Sequence, residues 1–139
     1  MIKKIDHIAI ASENIDEAQR LFKALLGLSL EKRETVEDQH ITTDIYAAGD
    51  SHIEVMEPTQ SDSSVGKFLE NRGEGIHHIC FEVTNIEEML SDLKSAGIKL
   101  INEKPTIGVE GKKIAFLHPK STHGVLIELS ESASENNQG

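Results

Sequence analysis

This chain contains an internal repeat, which limits the folds that it can adopt. Residues 5–10 read Ile-Asp-His-Ile-Ala-Ile and residues 76–81 read Ile-His-His-Ile-Cys-Phe, so that His7 and His78 stand 71 positions apart (78 − 7). The Asn-Ile-acid-Glu cluster that begins at Asn14 recurs at Asn85 with the same offset (85 − 14). Two related sequences in one chain predict two copies of one small structural unit, and residues at equivalent positions are candidates for a shared site.

An acidic residue also recurs late in each copy. Glu54 and Glu128 both lie in aliphatic surroundings and stand 74 positions apart (128 − 54), close to the histidine offset. Each copy therefore supplies one early histidine and one late glutamate. Two imidazoles and two carboxylates suit one divalent ion such as Zn, Co, Ni, Mn or Fe, and the donor set does not select among them.

Strand alternation predicts that these residues share a face. Because successive side chains of a strand point to opposite faces, the aliphatic neighbours of each glutamate point toward a helical layer and the glutamate points away from it. If two such units join edge to edge, within one chain or across two chains, the concave face of the sheet collects His7, Glu54, His78 and Glu128. Two carboxylates enclosed on that face require a cation, so we predict a metal site there.

Apolar periodicity predicts the order βαβββ in each copy. In the first copy, strands are expected at 4–11, 28–34, 40–48 and 51–57, with a helix from an Asn14 cap to Gly27. In the second, the helix begins at Thr84 or Asn85 and ends at Gly97, and strands are expected at 98–103, 112–117 and 124–130. Both helices are interpreted as scaffold.

The chain of 139 residues suits a single domain over 1–130. Its first module spans about 1–58, a linker with a short amphipathic helix spans 59–74, and the second module spans about 75–130. The polar residues 131–139 are expected to form a disordered tail. The predicted fold class is α+β, with two βαβββ modules forming one cupped, eight-stranded mixed sheet.

The net charge limits the partners. A formal charge of −10 and a pI near 5.1 disfavour nucleic acids and anionic membrane surfaces, which bind basic faces. An anionic substrate would need a local cluster of cations, such as Lys112, Lys113 and Lys120, to overcome the global charge.

Location and redox state follow from simple absences in the sequence. Asp6 follows too few apolar residues for a signal peptide, and no apolar run approaches the ~20 residues of a membrane span. We therefore expect a soluble, cytoplasmic protein. The one cysteine, Cys80, lies in an apolar strand and is expected to be a buried, inert thiol.

The remaining histidines are weaker candidates. His77 aligns with Asp6 of the first copy, so His78 is chosen as the ligand. His52 shares strand parity with Glu54 and is the one most expected to line the cleft. The others have no counterpart in the second copy and are interpreted as loop or surface residues; they are His40, His118 and His123.

With this repeat and these four residues, the chain resembles the vicinal oxygen chelate superfamily, which includes glyoxalase I. The resemblance covers residues 1–130 and is closer to the methylmalonyl-CoA epimerase family. It is carried by Val-Glu-Asp-Gln at 36–39, Ile-Glu-Val-Met-Glu-Pro at 53–58, Gly-Glu-Gly-Ile-His-His-Ile at 73–79, His-Pro-Lys at 118–120 and Gly-Val-Leu-Ile-Glu-Leu at 124–129. Glyoxalase I enzymes have a different sequence pattern before the last glutamate.

The resemblance implies a vicinal oxygen chelate fold, one divalent metal ion (Co, Mn, Ni or Zn) on His7, Glu54, His78 and Glu128, an acyl-CoA substrate and a homodimer. It implies that the C2 epimers of methylmalonyl-CoA are interconverted through a metal-stabilised enolate. Glu128 is the expected base.

Three further residues are implied as contacts of the CoA substrate: Gln39, Lys120 and Ser121. The second base of the family is a glutamate whose position matches Thr43 here. Asp44 is the catalytic candidate in its place, with His52 or a water on the metal as alternatives.

Two other functions use the same fold. A glyoxalase I-type isomerase uses the same ligand types on a hemithioacetal. A small-ligand-binding protein needs no complete metal set, and the four intact ligands therefore disfavour it.

Overall fold

The structure of the protein is a computed structural model, which describes residues 1–133. These residues form two compact units. We call His7–His77 the N-terminal unit, and Met1–Asp6 with the residues from His78 on the C-terminal unit. The first strand, β1 (Ile2–Ala11), is divided between the two units.

The main elements of the N-terminal unit after the end of β1 are, in chain order, α1 (Ile15–Gln19), β2 (Ser29–Val36), β3 (Ile41–Ala48), β4 (Ser51–Pro58) and α2 (Ser64–Arg72). Its strands follow the order β2-β3-β4-β1. The pair β1 and β4 is parallel, whereas β3 pairs antiparallel with both β2 and β4.

The C-terminal unit contains β5 (Gly75–Val83) from His78 on, α3 (Ile86–Ser95), β6 (Thr106–Ile107), β7 (Lys113–Leu117) and β8 (Ile127–Glu131). Its strands follow the order β1-β5-β8-β7-β6. The pair β5 and β8 is parallel, and β7 pairs antiparallel with its two neighbours. The predicted order βαβββ is therefore present twice.

The caps of α1 and α3 repeat as the sequence predicts. The Asn14 side chain accepts a hydrogen bond from the Glu17 amide at 2.9 Å, and the Asn85 side chain accepts one from the Glu88 amide at 3.1 Å. Each bond satisfies one of the amides that a helix leaves unpaired at its start.

A carboxylate from the last strand of each module caps the same helices. Glu57 accepts from the Ile15 amide at 3.0 Å, and Glu131 accepts from the Ile86 amide at 2.8 Å. The duplication thus extends to hydrogen bonds between elements far apart in sequence, since these glutamates are separated by the same 74 positions (131 − 57) as Glu54 and Glu128.

The helices cover the cores of their units. In the N-terminal unit, α1 packs on a cluster with Ile15, Tyr46 and Val55 at its centre. In the C-terminal unit, α3 packs on a larger cluster, whose fully enclosed members are Val83, Ile86, Leu90, Ala115, Leu117 and Leu129.

The first helix differs from its expectation. After Gln19 it widens into a π-helix over Arg20–Leu25, and the Leu26 amide donates to the Leu21 carbonyl. A π-turn shifts the following side chains around the helix axis. Leu25 and Leu26, expected in the apolar stripe, are consequently 64% and 60% exposed.

The prediction of a strand at 98–103 was wrong. This segment makes an isolated bridge between Leu100 and Leu117, and the short strand β6 lies later in the chain. The reason is that the Asn102 side chain accepts from the Phe116 amide at 2.9 Å, so that a side chain occupies a donor of β7 that a neighbouring strand would use.

The tail also begins later than expected. Glu131 belongs to β8 and is 4% exposed. Residues 134–139, the rest of the expected tail, lie outside the described residues. No helix within residues 1–133 has the length and apolar character needed to cross a membrane.

Candidate active site

The N-terminal unit brings His7 and Glu54 together. The Nδ1 atom of His7 lies 3.2 Å from Oε2 of Glu54, and the two side chains are 10% and 19% exposed. The strands explain this contact. Ala9 on β1 is the register partner of Glu54 on β4, and His7 precedes Ala9 by two residues and so shares its face.

The C-terminal unit brings His78 and Glu128 together in the same way. The Nε2 atom of His78 lies 3.0 Å from Oε1 of Glu128, with the side chains 7% and 8% exposed. Cys80 on β5 is the register partner of Glu128 on β8, two residues after His78. The Phe116 ring packs edge-on against the His78 imidazole at 5.5 Å.

The two pairs therefore occupy equivalent positions of a repeated strand register. Ala9 and Cys80 stand 71 positions apart (80 − 9), like the histidines. The antiparallel partners of the glutamates, Ile45 and Phe116, are separated by the same number (116 − 45). The sequence repeat thus corresponds to a repeated constellation of one imidazole and one carboxylate.

The distances within each pair fit two adjacent ligands of one metal ion. Ligand bonds of about 2.1 Å at a right angle place the two donor atoms about 3.0 Å apart. The separations of 3.2 and 3.0 Å are close to this value, and they are also hydrogen-bond distances. Imidazole nitrogen and carboxylate oxygen are donors for zinc and similar divalent ions.

The structure does not support the catalytic role expected for Asp44. Its register partner is Val55, a core residue below α1, whereas the partner of Glu54 is Ile45. Asp44 is fully buried and is bound by Arg33 through two hydrogen bonds of 2.7 and 3.0 Å. Gln19 donates to the same carboxylate at 3.0 Å.

This arrangement makes Asp44 a structural anion. The hydrogen bonds of Arg33 with Asp44 and then with Asp16 raise the pKa of the guanidinium, so Arg33 stays charged. A carboxylate that is buried on the opposite face and fully engaged is poorly placed to move protons at the His7–Glu54 pair.

Thr43, which the resemblance matches to the second base of the family, has the register partner Met56. It therefore lies on the Glu54 face of β3, and it is 1% exposed. A threonine hydroxyl is not a base near neutral pH, so Thr43 itself is not a candidate for the second base.

His52 and His77 have their own contacts. His52 is in register with His7, as strand parity predicts, and its Nε2 atom lies 2.7 Å from a carboxylate oxygen of Glu31. The His77 ring packs against Phe68 of α2 at 5.0 Å.

The three residues expected to contact CoA lie in short helical turns. Gln39 is exposed in the turn Glu37–Gln39, and Lys120 is exposed in Pro119–Ser121. The Ser121 hydroxyl accepts from the Lys99 amide at 2.9 Å. Their role in binding stays a prediction.

One feature of the site was not found from the sequence. The Lys112 ammonium lies 3.3 Å from a carboxylate oxygen of Asp6, a side chain that is 8% exposed. The two residues are 106 positions apart, so no local pattern links them. Cys80 is fully buried, as expected for an inert thiol.

A cavity of about 520 Å³ in the N-terminal unit lies between the start of α1 and Glu74. His7 and Glu54 do not line it. The Glu74 carboxylate in its lining accepts from the Ser12 hydroxyl at 3.2 Å and from the Glu13 amide at 2.9 Å, so this carboxylate is already bound within the protein.

Comparisons with known proteins place the chain in a family. A family model of the Glyoxalase/Bleomycin resistance protein/Dioxygenase superfamily matches residues 6–116. The chain is 37% identical to the mitochondrial methylmalonyl-CoA epimerase of Dictyostelium discoideum over 131 residues, which are 94% of this chain and 79% of that protein. The chain belongs to the methylmalonyl-CoA epimerase family.

Solved structures agree with this membership. A methylmalonyl-CoA epimerase in complex with methylmalonyl-CoA and NH4+ is similar with a TM-score of 0.89 at 35% identity, covering 96% of this chain and 97% of that chain. A variant of the Streptomyces coelicolor methylmalonyl-CoA epimerase in complex with 2-nitronate-propionyl-CoA gives the same four values.

Membership of the methylmalonyl-CoA epimerase family confirms the predicted α+β fold class with its eight strands in mixed pairing. It also confirms that the chain is an enzyme. The metal, the homodimer, the cytoplasmic location and the roles of individual site residues stay predictions.

Proposed function

We propose that the protein interconverts the two C2 epimers of methylmalonyl-CoA. The observation that carries this proposal is the recurrence of one His–carboxylate pair in the same strand register of both units, in a chain of the methylmalonyl-CoA epimerase family. A relative with bound methylmalonyl-CoA supports an acyl-CoA substrate. We also propose a homodimer, as the resemblance implies, and a cytoplasmic location, as expected from the sequence.

In this proposal, one divalent cation would be held by the four predicted ligands, which are His7, Glu54, His78 and Glu128. The cation would stabilise the negative charge that develops on the thioester oxygen when the C2 proton leaves.

Glu128 removes the C2 proton. Its carboxylate is 8% exposed and lies against His78, with the Phe116 ring packed on that imidazole. A shielded carboxylate can accept the proton without competition from bulk water. The C2–H bond breaks, its electrons move toward the thioester oxygen, and a new C2–H bond forms on the opposite face when a proton returns.

The group that returns the proton is not Thr43 or Asp44 in this proposal. A hydroxyl has no proton to give readily, and Asp44 is bound by Arg33 below the opposite face. His52 is in register with His7 and is 32% exposed, so it can exchange protons with water. We propose His52, or a water beside it, as the donor.

The exposed residues Gln39, Lys120 and Ser121 are proposed to contact the CoA part of the substrate. Lys120 suits a phosphate, because an ammonium donates charge-assisted hydrogen bonds to anionic oxygens. This assignment rests on the family resemblance and on their exposed or half-exposed turns.

The direct test is a pair of assays on the metal-loaded protein. In deuterated water, we expect the C2 proton of methylmalonyl-CoA to be exchanged, as measured by mass spectrometry, with interconversion of the epimers. We expect no lactoyl-thiol to form from methylglyoxal and glutathione. Formation of lactoyl-glutathione without C2 exchange would identify a glyoxalase I-type isomerase, and inactivity in both assays would favour a binding protein.

A further inference from the structure

A lysine of the C-terminal unit, Lys112, has no role in the function proposed above. Lys112 precedes β7 in extended conformation, and its ammonium donates to Asp6 at 3.3 Å. Within residues 1–133, Asp6 is its one hydrogen-bond acceptor. An ammonium carries three N–H donors, so two remain for a ligand. Its side chain is 27% exposed, and a ligand can therefore reach it.

The surroundings keep this lysine charged. Burial lowers the pKa of Lys112, but attraction and hydrogen bonding by Asp6, with the charge of Glu110, outweigh burial and raise the pKa above its usual value. The ammonium is therefore cationic at neutral pH. Because Asp6 is buried and holds it, the donor is oriented before any ligand arrives.

The carboxylate that holds Lys112 lies near the strand that carries His78. A carboxylate oxygen of Asp6 lies within 4.8 Å of the Cys80 sulfur. Cys80 is the register partner of Glu128 and follows His78 by two residues. Side chains that alternate by two along a strand share a face. The Lys112 ammonium therefore lies toward the face that carries the proposed proton acceptor.

The two other lysines of the predicted cluster are directed elsewhere. Lys113 lies in β7 with Glu131 as its register partner, and its ammonium lies 3.3 Å from the exposed Glu87. Lys120 is exposed in a separate turn. Lys112 is thus the member of the cluster that combines partial burial, a fixed ammonium and proximity to the site.

We propose that Lys112 determines specificity by recognising a negative charge on the acyl group of the substrate. This inference rests on the proposed function, and the feature that Lys112 recognises is the negative charge of the acyl group. In a chain with a net charge of −10, an anionic acyl group needs such a local cation. A carboxylate would receive charge-assisted hydrogen bonds from the two remaining donors.

The test compares two acyl-CoA ligands on the metal-loaded protein by calorimetry. 2-Nitronate-propionyl-CoA carries an anionic acyl group, and propionyl-CoA carries a neutral one. We expect Lys112→Met to lower the affinity for the anionic ligand about tenfold or more, because a charge-assisted contact is lost. The affinity for propionyl-CoA should stay within about twofold of wild type. Lys112→Arg should restore most of the affinity, and Lys113→Met should change neither ligand.

Because Lys112→Met leaves Asp6 buried without its cation, an Asp6→Asn/Lys112→Met variant keeps the test valid if the single variant folds poorly. It should show the same loss for the anionic ligand alone. An equal loss of affinity for both ligands, or no change for either, would overturn the role of Lys112. If the wild-type protein does not exchange the C2 proton, the proposed function itself fails. The role of Lys112 is then still decided by the change in affinity for the anionic ligand compared with that for propionyl-CoA.

Discussion

Replacing Glu128 with Gln is expected to slow exchange of the C2 proton of methylmalonyl-CoA about 10³-fold, the size of effect typical of a lost general base. The amide keeps the shape and an oxygen donor but cannot accept a proton. Because Gln can still pair with His78 at the observed 3.0 Å separation, we expect the fold to be retained. Exchange rates from mass spectrometry and thermal melting curves measure the two effects.

The matched control lies in the other unit. Glu54 has the equivalent strand position and the equivalent histidine contact, at 3.2 Å. In our account it is a ligand and not a base, so Glu54→Gln should cost about tenfold, far less than Glu128→Gln. Equal losses in the two variants would contradict the assignment of Glu128 as the base, and a fully active Glu128→Gln protein would remove it from the reaction.

Replacing Arg33 with Met is expected to lower the free energy of unfolding by about 3 kcal/mol, because it leaves the buried Asp44 carboxylate without its cationic partner. Asp44 has no exposed surface and would keep a single hydrogen bond, from Gln19. The value is at the lower end of the range for buried ion pairs, since the Arg33 side chain is 39% exposed. Urea unfolding followed by circular dichroism measures it.

The control is the double variant Arg33→Met/Asp44→Asn. It removes both charges and should recover stability to within about 1 kcal/mol of wild type, because no unpaired charge remains buried. It should also keep the wild-type rate of C2 exchange. Slow exchange in a stable double variant would return Asp44 to the reaction, and a stable Arg33→Met variant would show that the ion pair does not hold the fold.

The repeated parts of the structure were predictable because their causes are local. The Asn14 and Asn85 caps depend on residues three positions away, and both are present. Strand alternation placed each glutamate on the face of its histidine, as the contacts of 3.2 and 3.0 Å confirm within each unit.

The parts that could not be predicted depend on partners distant in sequence or on small changes of geometry. The Asp6–Lys112 pair joins residues 106 positions apart, and the burial of Asp44 depends on Arg33 from another strand. The segment 98–103 has the composition of a strand, but the Asn102 side chain replaces a backbone acceptor. Nothing in the composition of the first helix indicates its π-turn.

A shared cation is tested by the metal content of the protein and of two single variants, His7→Ala and His78→Ala, after purification without chelator. If both His–Glu pairs hold the same cation, the wild type retains one divalent ion per chain by elemental mass spectrometry, and each variant loses most of it. Two ions per chain, or a variant that keeps its full content, would show that the pairs do not share one metal.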